Sequence, residues 1–239
     1  MSGDGQSSGT LSAEAIAGRS IGLRGVDDLL RGRRQIVGAS EPGGFLWLIA
    51  VIAVFGAAYG VVMGTFGGLR GEQMLYSAVK VPLLLGTTFT LSIPSFFVIA
   101  TILGLRDDFR DAVRALVATQ AVLAVILAAF SPFTAVWYAS SSDYDAAKIF
   151  NLLMFAAASL TAQVVLRRFA RPLLDRDRRH ALLLGGWLVM YSFVGVQMGW
   201  VLRPFIGQPH AETTFFRDSA WSNAYVEVGT TIWRVVQGG

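Results

Sequence analysis

The sequence predicts an all-α polytopic membrane protein, a bundle of five transmembrane helices followed by an extramembrane aromatic cap. Three observations predict it. Hydrophobic residues occupy 54% of the 239 positions, charged residues only 15%, and the mean hydropathy is +0.53, which exceeds what an ordinary water-soluble domain carries. Five runs are long and apolar enough to cross a hydrocarbon layer about 30 Å thick, which takes about 20 residues of helix. All sixteen Asp and Glu residues lie outside those runs, so charge marks the loops.

Residues 1–40 are expected to be a flexible and then basic cytoplasmic segment. Its start, "MSGDGQSSGTLSAEAIAGRS", is Gly/Ser-rich and lacks the basic-then-apolar order of a cleavable signal peptide, so it is expected to stay attached. Residues 41–202 should form the transmembrane domain, with spans at 44–66, 81–103, 112–138, 147–166 and 181–202. Between the first two, "GGLRGEQMLYSAVK" reads as a connection with room for a short interfacial helix. Residues 203–239 follow as the cap.

Orientation follows from Arg and Lys placement, because short loops rich in them stay cytoplasmic. With the N-terminus inside, fourteen basic residues fall on the cytoplasmic side and six on the other. The C-terminus is therefore expected outside. Trp137, Tyr138 and Trp200 sit at span ends, at the headgroup level that suits an apolar ring with a polar tip.

The first span carries Gly56, Gly60 and Gly64. This ridge at i, i+4 and i+8 lets another backbone come close, inside one bundle or between two copies. The second span holds Pro82 at its start and Pro94 in its middle, where the missing N–H should kink the helix, with Thr90 placed to help satisfy the freed carbonyl. Its hydroxyls either bond their own backbone or, with Thr87, Thr90, Pro94, Gln120 and Gln163, line a small pore. Gln120, Asn151, Gln163 and Gln197 are the amides of the spans, read either as one network or as separate contacts between helices. No Asp, Glu, Lys, Arg or His falls near the centre of a span, which argues against a proton-coupled carrier.

Enzyme signatures fail as well. There is no HExxH, GxSxG or Walker-type loop, no cysteine, and two separated histidines, His180 and His210. No catalytic residue, cofactor or metal site is expected. Asp107 and Asp108 precede the third span, where an Asp caps a helix by accepting free N–H groups. Salt bridging with the arginines near Asp175 and Asp177 is the simpler alternative to a metal. Arg167, Arg168 and Arg171 begin a loop of six arginines in thirteen residues, suited to topology control and to anionic headgroups or a protein partner. Nucleic acid is not expected, because the loop lacks the aromatic platforms of a single-strand binder.

At the last span's exit, "WVLRPFIG" places Trp200 level with Arg203, and Pro204 stops the helix. The tail beyond is too aromatic for a loose segment, with Phe205, Phe215, Phe216, Trp221, Tyr225 and Trp233. It is expected to fold back as a cap and to contact a partner or lipid. From Trp221 onward a short amphipathic helix is expected, capped by Asp218 or Ser219.

The stretch "EQMLYSAVKVPLLLGTTFTLSIPSFFVIATILGL", with "KVPLLL", a mid-helix proline and "ATILGL", resembles bacterial five-span proteins of the Yip-domain group. The later "QMGWVLRPFIG" is similar to an element of one subgroup. The resemblance implies a five-helix bundle in a bacterial inner membrane with a non-enzymatic role, and it carries no partner over. The function expected is a membrane scaffold or adaptor that binds another membrane protein, a second copy or lipid; a small passive pore is the alternative.

Overall fold

The computed structural model describes residues 23–32, 42–207 and 213–216. Helix α1 spans Leu23–Leu30, α2 Pro42–Met63, α3 Gly71–Ile102, α4 Phe109–Ser140, α5 Tyr144–Phe169, α6 Arg171–Arg176 and α7 Arg179–Val201, with a 3-10 turn at Arg106–Asp108. No strand occurs among the described residues. Helices α2, α3, α4, α5 and α7 are long and apolar enough to cross a membrane. The protein is therefore an all-α multi-pass bundle, as the composition requires.

Helix α4 is the axis. It packs against α2 on one side and α5 on the other, while α3 packs between α2 and α7. In its apolar window 67% of residues are buried, against 28% for α2, α3 and α5 and 11% for α7. Ala115 to Val125 is an unbroken buried run, so neighbours enclose this part of the helix on every side. The sequence permits this because Ala112, Ala115, Ala118, Ala121 and Ala124, all at most 1% exposed, keep the surface of α4 low. In lipid, helices associate by such close packing rather than by hydrophobic force.

The glycines of α2 do the same work toward α3. A Cβ on Gly60 would collide with the Ser77 carbonyl and lie 2.8 Å from the Ala78 Cα; one on Gly64 would lie 2.5 Å from the Met74 Cα. Gly56 fits more loosely, 3.4 Å from the Pro82 nitrogen. All three are buried, and the ridge serves packing inside the bundle.

The two ends of the bundle differ. At the arginine end, α1 docks beneath α4 because Val26, Leu29 and Leu30 share one face, with Leu29 fully buried. Residues 23–30, in the basic part of the N-terminal segment, are thus helical, since that face has a core to enter; the Gly/Ser-rich start expected to be flexible lies outside the described residues. Asp108 does not cap α4 through its side chain, contrary to the cap expected from sequence. Its carboxylate instead accepts from Arg176 and lies 3.2 Å from the buried His180 Nε2, tying the α3–α4 turn to the start of α7. This is the salt bridging across one face that the Asp and Arg placement allows.

At the opposite, junction end, α3 begins ten residues before the expected span. Its 32 residues measure about 48 Å, so the helix extends beyond the hydrocarbon layer as one piece and runs through Pro82 and Pro94. No separate interfacial helix forms there. Gln73, Ser77 and Lys80 recur at i, i+4 and i+7 and are buried, which holds the first turns upright against the rest of the junction.

Gly60→Ala should destabilise the folded bundle by about 1–3 kcal/mol, the usual cost of overpacking, because the new methyl meets backbone rather than a movable side chain. Gly86 has nothing within 4 Å of an added Cβ, and Gly86→Ala should not lower stability, since alanine is the better helix former. Thermal unfolding of both variants in the same detergent checks this, and equal midpoints would sink it.

Candidate functional site at the junction end

The chain leaving α7 is gripped by the first turns of α3. Lys80, fully buried, donates from Nζ to the Pro204 carbonyl at 2.7 Å. Ser77 Oγ donates to the Phe205 carbonyl at 2.6 Å, and Gln73 Nε2 reaches the same oxygen at 3.4 Å. Three side chains spaced along one helical face thus satisfy two successive carbonyls in the segment just past the end of α7. Gly207 closes the clamp, since a Cβ there would lie 2.9 Å from the Gln73 Cγ and collide with the Arg70 guanidinium. The Arg203–Pro204 peptide is cis.

Aromatic groups complete the clamp. The Phe215 ring covers the Lys80 ammonium at 4.8 Å and meets Tyr76 edge-on at 5.3 Å. Phe216 packs edge-on to Phe215 at 4.8 Å and is itself exposed. The Arg203 guanidinium lies 3.3 Å from the centre of the Trp200 ring, a stacked cation of the kind that gains most when partly desolvated. Of the expected cap, residues 203–207 and 213–216 are described, and Pro204, Phe205 and Phe215 pack on the first turns of α3. Trp221, Tyr225, Trp233 and the expected caps Asp218 and Ser219 lie outside the described residues.

Beside the clamp sits a buried polar knot. Tyr59 of α2 donates to Asn151 Oδ1 at 3.0 Å, and Asn151 Nδ2 donates to the Tyr138 hydroxyl at 2.6 Å and to the Ala147 carbonyl at 2.7 Å. One amide thereby joins α2, α4 and α5. Phe66 packs edge-on to Tyr138 at 5.0 Å. Above them opens a cleft of about 400 Å³ lined by Thr65 to Gly68 and Tyr138 to Ser142.

The expected pore lining does not assemble. Gln120 is enclosed and accepts from Tyr191 of α7 at 2.8 Å, and Gln163 is half-buried on α5. Thr90 and Pro94 face away from the bundle, and the Thr87 hydroxyl bonds the Leu83 carbonyl at 2.7 Å. Ser92 and Thr101 likewise donate to carbonyls four residues back, so hydroxyls can sit in lipid on their own helix. Thr90 makes no such bond. Two of the amides serve separate contacts: Asn151 joins three helices, and Gln120 joins α4 to α7. Arg167, Arg168 and Arg171 are exposed at the other end of the molecule.

Sequence reasoning missed Lys80 as a buried group and Tyr59 as a partner of Asn151. The first had a signal, since Gln73, Ser77 and Lys80 keep helical spacing. The second had none, because only packing brings residues 59, 138 and 151 together. The fold defines a multi-pass membrane protein built as a five-helix bundle with a clamped exit. Comparison with protein-family models, with curated proteins and with solved structures finds no match to this chain.

Lys80→Met keeps an apolar stem but leaves the Pro204 carbonyl without its donor, at about 1–3 kcal/mol for an unsatisfied buried group. Amide exchange at Phe205 and Ile206 should speed up accordingly. Lys148, which pairs with Asp145 on the surface, should tolerate the same change. Unaltered exchange in Lys80→Met would show that the clamp holds nothing.

Proposed function

We propose that this protein is a non-enzymatic membrane scaffold or adaptor whose clamped junction presents a fixed surface to another membrane protein. The observation that carries the reading is the burial of Lys80 on the Pro204 carbonyl. A charged group is kept at the membrane boundary to hold a loop in one shape, and a loose tail would not need it. The Arg203 and Trp200 stack and the exposed Phe216 lie on the held segment. Aromatic groups and arginine are the residue types that anchor interfaces.

The enclosed axis helix and the outward-facing Thr90 and Pro94 lend no support to the alternative of a passive pore. The Yip-domain resemblance belongs to this proposal and brings no partner with it. So does the orientation, with the arginine end cytoplasmic and the junction end outside, in a bacterial inner membrane. An outside-active reporter fused after Gly239 should work and an inside-active one should not.

Cross-linking in native membranes, followed by gentle extraction and mass spectrometry, tests the function. The full chain should recover one membrane protein at near-equal stoichiometry, and Arg203→Ala should lose it while still inserting normally. Recovery of the chain alone, together with solute flux in proteoliposomes, would overturn the scaffold in favour of a pore.

A further inference from the structure

The arginine end holds a second site, independent of the scaffold reading. Helix α5 runs into α6 with almost no break: Ala170 keeps helical torsions, its N–H bonds the Leu166 carbonyl at 2.8 Å, and its own carbonyl accepts from Leu174 at 2.9 Å. Residues on either side of Ala170 therefore keep helical spacing. Phe169, Ala170 and Leu173 face the core at 5%, 0% and 4% exposure, while Arg167, Arg168 and Arg171 are exposed on the other face. Positions three and four apart on a helix are neighbours, so three guanidinium groups share one surface where α5 leaves the apolar layer.

Among the described residues no carboxylate neutralises their charge. The nearby acids are engaged elsewhere: Asp27 with Arg31 at 2.8 Å, Asp111 with Arg114 at 3.7 Å, Asp177 with Arg179 at 3.9 Å, and Asp108 with Arg176. Asp175, one turn beyond Arg171, makes no ion pair with it. Among the described residues no carboxylate lies within 4 Å of Arg167, Arg168 or Arg171.

The stem of Arg168 is braced from the side. Gly32, in the turn after α1, has φ +66°, and a Cβ there would lie 3.0 Å from the Arg168 Cβ. The docked α1 thus limits the freedom of that side chain, which lowers the ordering cost when it binds. Guanidinium groups match phosphate oxygens in paired hydrogen bonds.

We propose that Arg167, Arg168 and Arg171 form a binding site for the phosphate headgroup of an anionic phospholipid. The α5–α6 connection supplies the three donors, and α1 braces the middle one. The site selects charge and phosphate geometry rather than a particular acyl chain.

The test uses the full chain in nanodiscs of phosphatidylcholine containing one-fifth phosphatidylglycerol, with protein-bound lipid counted by native mass spectrometry. The wild type should retain phosphatidylglycerol at least about fivefold over its bulk share, since each basic group near the surface adds attraction. Arg167→Gln/Arg168→Gln/Arg171→Gln should remove that enrichment with helical content unchanged, and the corresponding triple Lys variant should keep only the part owed to charge alone. Arg106→Gln/Arg110→Gln, at the same end but outside the site, should not alter it. Equal retention of both lipids by the wild type, or enrichment that survives in the triple Gln variant, overturns the proposal. Loss of enrichment on adding millimolar inorganic phosphate at constant ionic strength also overturns it, because the site would then be one for a free anion.

Discussion

Close approach of helix backbones along small side chains is the constraint on which this bundle depends. Lipid gives helices no hydrophobic reason to associate, so contact has to come from packing and from the few polar groups they share. The alanines of α4 let its neighbours close around the axis, and Gly60 and Gly64 bring α2 onto the backbone of α3. A larger side chain at these points would widen the gap and leave the rest without register.

The polar contacts depend on that register. Asn151 can serve Tyr59 and Tyr138 together only because α2 and α5 both lie against α4. Gln120 meets Tyr191 only because α7 comes near the axis. In hydrocarbon an unsatisfied amide or hydroxyl is costly, so each pair also limits the arrangements of helices that the sequence can adopt. Packing and polar satisfaction select the same bundle.

The two ends are closed by different chemistry. At the junction end, a lysine, a serine and a glutamine hold two backbone carbonyls, and the ring of Phe215, itself packed on Tyr76, covers the charge. At the arginine end, Asp108 gathers Arg176 and His180, while other arginines remain turned outward. One end consumes its polar groups in holding a loop; the other keeps positive charge available. That asymmetry is why a protein contact is proposed for the first and a lipid contact for the second.

Much of the fold was legible in the sequence, because apolar runs of sufficient length, free of acids, leave a helix across the membrane as the main solution for the backbone. Spans, their number and the exit at Pro204 follow from local composition. The glycine ridge of α2 was legible as a packing face, though its partner was not. The sequence also misled where chemistry was local but contacts were not. Asp108 has the right place and type for a cap, yet a cation brought from Arg176, sixty-eight positions away, takes its carboxylate. Thr90 and Pro94 looked like a pore lining, yet which face of α3 turns inward depends on how α2 and α7 pack. What the sequence determined by itself is how often the chain crosses the membrane, since that depends on the transfer of each segment into lipid. Only the tertiary structure decided that Lys80 is buried, that Asn151 joins three helices and that Arg176 meets Asp108, because those outcomes depend on groups distant in the chain meeting across helices.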